Sequence, residues 1–169
     1  MILTISLAIA FGALFASSAY HKISDLSAFV TSVQDYQLGP KGLAKPAAFG
    51  ILMLECLCLV LLAFRPSIGL LVGACLLCVY AGAMTMNLLK GRTHIDCGCY
   101  APGTGGHTIH WGMVLRNLAV GAAGTAAALW PPTLLAVGHA FDYATIAAFA
   151  LGAISIYCIL ETALQQRHA

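Results

Sequence analysis

Five long segments of almost purely apolar residues constrain this chain more than any other feature of its sequence. An α-helix of 19 residues, the length of the first segment, is roughly 28 Å long, about the thickness of the hydrocarbon core of a bilayer. Backbone polar groups in lipid must be satisfied within such a segment, so we expect each to be helical. The pattern predicts an all-α integral membrane helical bundle of four to five transmembrane helices in a single domain, residues 1–169. The predicted spans are residues 2–20, 46–64, 68–89, 111–130 and 143–164.

Composition agrees with this prediction and excludes one class of partner. Hydrophobic residues make up 60% of the chain and charged residues 8%, whereas a soluble domain has roughly 25% charged residues. The formal net charge is only +2, and no stretch interleaves basic with aromatic residues as a nucleic-acid surface would. We therefore predict a protein that lies in a lipid bilayer and binds no nucleic acid.

Between the first two spans, residues 25–38 form a mixed segment. Its apolar residues recur at helical spacing, which predicts a short helix in the membrane interface. They are Leu26, Phe29, Val30 and Val33.

Three ionisable side chains, Lys22, Glu55 and Arg116, are candidates for a charged cluster inside the bundle. Glu55 is the only charge of the second span, and such a group marks either a functional site or a hydrogen-bonded carboxylic acid that joins helices. Charges in membranes generally pair, so we predict that Glu55 faces the bundle interior, towards Lys22 or Arg116. Asn117 follows Arg116 near the start of the fourth span.

The polar run between the third and fourth spans, Gly91 to Tyr100, contains two cysteines one residue apart. A disulfide between Cys97 and Cys99 would be strained, and strained, exposed disulfides exchange electrons more readily than structural ones. Arg92 would favour the attacking thiolate, while Asp96 would oppose it or accept its proton. The alternatives are unpaired loop thiols or a metal site. A metal would be held by the two thiols with a nearby histidine, His94, His107 or His110.

Four further cysteines lie in the second and third spans, at similar depths if these spans form a hairpin. We expect them to be small packing residues inside the bundle, and a buried thiol relay is the alternative. They are Cys56, Cys58, Cys75 and Cys78.

Several of these motifs together resemble the methylamine utilisation MauE family, within the wider DoxX-like membrane proteins. The resemblance covers roughly residues 1–130, and its most specific part is the Cys-Gly-Cys loop followed by Arg-Asn. Tyr100-Ala101 departs from the usual Phe-Gly. The motifs are Tyr20-His21-Lys22-Ile23, Pro46 with Glu55, Gly91-Arg92, Ile95-Asp96-Cys97-Gly98-Cys99 and Arg116-Asn117.

The resemblance implies a factor of the bacterial inner membrane that assists processing, transport or disulfide formation of the methylamine dehydrogenase small subunit. It also implies a membrane-anchored, thioredoxin-like partner, MauD-like, and it supports a redox role for Cys97 and Cys99, whereas no cofactor is identified. The client matures in the periplasm, but the positive-inside rule places the cysteine loop in the cytoplasm. Two alternatives are a mercury or copper transporter using Cys97, Cys99 and His94, and a non-catalytic scaffold for the partner.

Overall fold

The structure, a computed structural model, describes residues 2–37, 39–93, 95, 109–129 and 150–152, and all regular secondary structure in these ranges is helical. It comprises five α-helices, a short 3₁₀ turn, Lys41–Leu43, and a helical turn at 150–152, joined by short turns and loops. The predicted all-α class is confirmed. The helices are α1 (Ile2–Ser24), α2 (Leu26–Asp35), α3 (Ala44–Phe64), α4 (Pro66–Leu89) and α5 (Trp111–Leu129).

Four of these helices, α1, α3, α4 and α5, are long and apolar enough to cross a membrane. The first extends past the predicted end at residue 20, so that Lys22 belongs to the candidate span Thr4–Ser24. The predicted fifth span, 143–164, lies outside the described residues except for the turn at 150–152.

The hairpin between α3 and α4 turns at Arg65, with Pro66 at the first position of α4, where its missing N–H costs nothing. Gly69 then packs directly on the α3 backbone. A Cβ added to Gly69 would lie 2.5 Å from the backbone nitrogen of Leu62, and the Cys58 thiol donates a 3.5 Å hydrogen bond to the Gly69 carbonyl. The absence of a side chain at Gly69 therefore lets the two helices touch.

Two α1 phenylalanines fill the space left by glycines on the neighbouring helices. Phe11 is 2% exposed and Phe15 is fully buried. A Cβ on Gly124 of α5 would lie 2.5 Å from the Phe11 ring, and one on Gly73 of α4 would lie 2.9 Å from both rings. Such contacts between small and large residues are the usual source of helix association in membranes.

The last turns of α1 and α4 and the first turns of α3 and α5 lie at one end of the bundle, which we call the loop end. The α3–α4 hairpin lies at the opposite end, and there Thr4 of α1 donates a 3.0 Å hydrogen bond to the Ala127 carbonyl of α5. The helix α2 lies at the loop end and is fixed to α4, because the Asn87 amide donates to the Tyr36 carbonyl at 3.1 Å. The cysteine loop leaves from the same end.

The predicted amphipathic helix is confirmed as α2, and Phe29 is its buried residue. Its N-cap is Asp25, whose carboxylate accepts hydrogen bonds from the Ala28 backbone amide at 2.9 Å and the Ser27 hydroxyl at 2.8 Å. These bonds, led by the one from Ala28, lower the pKa of Asp25. An ionised Asp25 therefore supports the start of α2.

Candidate functional site

Glu55 is the centre of a buried polar cluster. Its side chain is fully buried, and Oε1 accepts hydrogen bonds from the Lys22 ammonium, from the Tyr80 hydroxyl at 2.7 Å and from the Ser18 hydroxyl at 3.1 Å. The second oxygen, Oε2, is buried and makes no hydrogen bond. The prediction that Glu55 points into the bundle is confirmed, and the structure selects Lys22 as its ionic partner rather than Arg116.

Lys22 belongs to this cluster because it lies in the last turn of α1, one helical turn after Ser18. Its side chain is 3% exposed, and Nζ lies 5.0 Å from the centre of the Phe29 ring and 5.1 Å from that of Tyr80. Aromatic faces attract a cation at this range, so the ammonium is stabilised by two rings as well as by Glu55.

Sequence reasoning missed Ser18 and Tyr80 as members of the cluster. A signal for Tyr80 was present, since a tyrosine within an apolar span needs a hydrogen-bond partner for its hydroxyl. The small hydroxyl of Ser18 carries no comparable signal, because serine in a membrane helix is commonly satisfied by its own backbone.

Beside this cluster lies a cavity of about 80 Å³, which we call the α2 cavity. It extends across the inner face of α2 to α3, α4 and α5, and its walls are largely apolar. One wall consists of Phe29 and Val33 of α2 and of its C-cap residue Tyr36, and the other polar side chains that line the cavity are Lys22, Tyr80, Arg116 and Asn117. Arg116 donates a 3.2 Å hydrogen bond to Oδ1 of Asn117. The structure therefore gathers four predicted residues, Lys22, Glu55, Arg116 and Asn117, at or next to one cavity.

The base of the cysteine loop is fixed to the bundle next to two residues of this cavity, Tyr80 and Met84. The Ile109 backbone amide donates a 3.1 Å hydrogen bond to the Ile95 carbonyl, so the two ends of the intervening segment are held together. Both side chains are buried, at 1% and 8% exposure, and belong to a cluster with Met84 on which Tyr80 packs. Met84 and Tyr80 also line the α2 cavity.

Gly91 and Arg92 direct the chain from α4 into this loop. Gly91 has a φ of +70°, and its amide donates to the Leu88 carbonyl at 3.0 Å, while the Arg92 amide donates to Asn87 at 3.0 Å. These two bonds form the Schellman motif that ends helices at a left-handed glycine. The Arg92 side chain is half-buried, and its Nη1 is buried without a hydrogen-bond partner.

The thiols predicted to carry the chemistry, Cys97 and Cys99, lie outside the described residues, as do Asp96, His94 and His107. His110 is half-buried just before α5. Within the described ranges, no three His, Cys, Asp or Glu side chains lie close enough together to hold a metal ion.

The structure does not bring the four cysteines of α3 and α4 together. Cys58 is buried against Gly69 as a packing residue, and Cys56 is half-buried, but Cys75 and Cys78 are exposed on the outer surface of α4. The expectation that all four lie inside the bundle is therefore wrong for α4. Its inner face is taken by Gly69, Gly73 and their helical neighbours, which turns both thiols outward.

Comparison with known proteins identifies one family. The family model described as methylamine utilisation protein MauE matches residues 1–131. A methylamine utilization protein MauE from Paracoccus denitrificans is 32% identical over 121 residues, which are 70% of this chain and 64% of that protein. The MauE protein of Methylorubrum extorquens is 34% identical over 159 residues, 85% of this chain and 78% of the relative.

The MauE protein of Methylophilus methylotrophus is 36% identical over 108 residues, 62% of this chain. The chain spans less than two thirds of the length of the Paracoccus denitrificans and Methylophilus methylotrophus relatives, at 64% and 56%. No solved structure matches the chain. The four candidate spans and these matches make it a multi-pass membrane protein.

Proposed function

Since this chain belongs to the MauE family of methylamine utilisation proteins, we propose that it serves methylamine utilisation in the bacterial inner membrane. Its proposed activity is thiol–disulfide transfer through Cys97 and Cys99. The proposed client is the methylamine dehydrogenase small subunit, and a thioredoxin-like, MauD-like protein is the proposed partner. The names of the relatives support the pathway, and the Cys-Gly-Cys sequence supports the chemistry.

One observation carries this proposal: the base of the cysteine loop is fixed at the loop end. Ile95 and Ile109 are hydrogen-bonded to each other and buried in the bundle. Cys97 follows Ile95 by two residues, so its Cα lies within about 7 Å of the Ile95 Cα, the reach of an extended chain. A fixed base would limit how far the thiols can move from the bundle, which suits exchange with a membrane-anchored partner.

The proposed step is an exchange between two sulfur pairs. A client thiolate attacks one sulfur of the Cys97–Cys99 disulfide, which breaks that bond and forms a mixed disulfide. The second client thiolate then resolves the mixed disulfide, so the client gains a disulfide and the loop cysteines are released as two thiols. Arg92, whose Nη1 makes no hydrogen bond, lies five residues before Cys97 and favours the thiolate form of the leaving sulfur.

Thiol trapping in intact cells tests this proposal. We expect the wild-type loop to resist alkylation until a reductant is added, and Cys97→Ser and Cys99→Ser to lose correctly disulfide-bonded client. The control variants Cys75→Ser and Cys78→Ser should leave the client unchanged, because their thiols lie on the outer surface of α4. Normal client in both loop variants would refute the redox role and favour the scaffold. If a chelator alone, without reductant, makes the loop cysteines accessible to alkylation, the result would favour soft-metal transport.

The side of the membrane is tested with a membrane-impermeant maleimide on reduced cells. The structure removes Lys22 from the charges that count in the positive-inside rule, because it is buried against Glu55. Four cations, Lys41, Lys45, Lys90 and Arg92, still favour a cytoplasmic loop. We nevertheless expect labelling of Cys97 and Cys99 from the periplasm, where a secreted client would meet them, and labelling only after lysis would refute this placement.

A further inference from the structure

We propose that the α2 cavity is a binding site for a lipophilic quinone, whose ring lies between α2 and α4 and whose carbonyl oxygens accept hydrogen bonds from the polar wall. This inference rests on the proposed function for its purpose, because a cysteine pair that oxidises clients must itself be reoxidised. The site itself consists only of described residues and is argued from their geometry.

The place of the cavity requires a ligand that partitions into lipid. Ile51, Tyr80 and Arg116 lie roughly 8 to 14 Å from the loop-end termini of their helices at the rise of an α-helix. That depth lies within the candidate spans. A cavity needs a volume of about 10–15 Å³ to hold a single water. The α2 cavity, at about 80 Å³, therefore has room for a group much larger than one water.

The shape of the cavity favours a flat ring with acceptor oxygens. Phe29 and Tyr80 both line the cavity and supply aromatic surfaces, with ring centres 5.0 and 5.1 Å from the Lys22 ammonium. The ammonium carries three donors, of which Glu55 takes one and the Tyr80 hydroxyl, at 3.5 Å, takes a second, so one donor is left for a carbonyl oxygen. Oδ1 of Asn117 accepts from Arg116, which leaves Nδ2 as the donor of that amide. A wall of donors beside apolar and aromatic surfaces recognises carbonyl oxygens on a ring.

The redox step balances with a quinone as oxidant. The thiols of Cys97 and Cys99 lose two protons and two electrons, two S–H bonds break and one S–S bond forms. The quinone takes up the two electrons and two protons and becomes a quinol, which leaves through the lipid. Tyr80 lies at both the cavity and the base of the cysteine loop, so the site and Ile95, two residues before Cys97, share one end of the bundle.

Binding is tested with the full-length protein in phosphatidylcholine nanodiscs and decyl-ubiquinone as the probe. Ala83→Phe should fill the cavity and weaken binding at least about tenfold, equivalent to roughly 1.4 kcal/mol. Val33→Phe fills the same space from α2 and serves as a second variant if Ala83→Phe fails to fold. The control Ala122→Phe lies on the exposed face of α5 and should bind like the wild type. Equal binding by all four proteins would overturn the proposal.

Two further experiments distinguish a failure of the quinone site from a failure of the proposed function. Reduced wild-type protein should convert one decyl-ubiquinone per cysteine pair, and Cys97→Ser should bind the quinone with unchanged affinity but not reduce it. Client maturation that depends on Cys97 and Cys99 in a protein that binds no quinone would overturn this inference alone. Quinone binding in a protein whose loop cysteines are dispensable would overturn the proposed function alone. Loss of quinone binding in phosphatidylglycerol nanodiscs would identify a lipid headgroup as the occupant and overturn the proposal.

Discussion

Removing one partner of the Lys22–Glu55 ion pair should destabilise the bundle more than removing both. The two side chains are 3% and 0% exposed, so neither charge is screened by water, and breaking a buried pair costs about 3–5 kcal/mol. Glu55→Gln keeps an acceptor for the Ser18 and Tyr80 hydroxyls, and Lys22→Met keeps an apolar stem beside the Phe29 ring. The substitutions therefore remove charge with little change in packing.

The two single losses would sum to at least about 6 kcal/mol if they were independent, whereas the double variant leaves no unpaired charge and should lose less than about 3 kcal/mol. We therefore expect a coupling energy of at least about 3 kcal/mol, more than a hundredfold in the unfolding equilibrium. The assay is reversible unfolding of the four proteins in mixed micelles at increasing dodecyl sulfate, followed by far-ultraviolet circular dichroism.

Lys90→Met is the matched control, because Lys90 is exposed at the C-cap of α4 and its loss should change the free energy of unfolding by less than about 0.5 kcal/mol. Neutral hydrogen bonds inside a membrane protein contribute about 0.6 kcal/mol on average. A coupling energy at or below that value would show that Lys22 and Glu55 do not act as a buried ion pair, and the reasoning would fail.

Three shorter predictions concern packing, pH and the outer thiols. Gly69→Ala should destabilise the bundle by about 1–3 kcal/mol because its Cβ would meet the α3 backbone, whereas Gly82→Ala, with nothing within 4 Å, should be neutral or stabilising in the same unfolding assay. Because folding lowers the pKa of Asp25 below its unfolded value of 3.8, the ionised carboxylate stabilises α2 at pH values above 3.8. This stabilisation is lost as the pH falls through the lower pKa of the folded state. Backbone amide exchange in α2 should therefore accelerate at low pH in the wild type. Asp25→Asn retains an N-cap side chain that does not titrate, so it should abolish the pH dependence of α2 amide exchange. The same pH dependence in the variant and the wild type would contradict the prediction. The double variant Cys75→Val with Cys78→Val should leave client maturation and metal tolerance unchanged. A loss of either property would support the alternative hypothesis of a thiol relay.

The number and position of the described spans could be read from the sequence, because crossing a bilayer requires a local property, an uninterrupted apolar length of about 20 residues. The same local reasoning found the amphipathic helix α2 and placed Glu55 inside the bundle, since a charge facing lipid is costly wherever its helix lies. The redox role of the cysteine loop rests on two thiols in a polar run and stays a prediction, because Cys97 and Cys99 lie outside the described residues.

Only the tertiary structure decided which side of each helix faces its neighbours. In water an apolar stripe marks the buried face, but lipid is as apolar as leucine, so the pattern along α4 does not distinguish the inner face from the outer one. The contacts of Gly69 with α3, and of Gly73 and Gly124 with Phe11, set that rotation. It turns Tyr80 towards Glu55, and it leaves Cys75 and Cys78 on the outer surface, because close approach of helices depends on where side chains are absent.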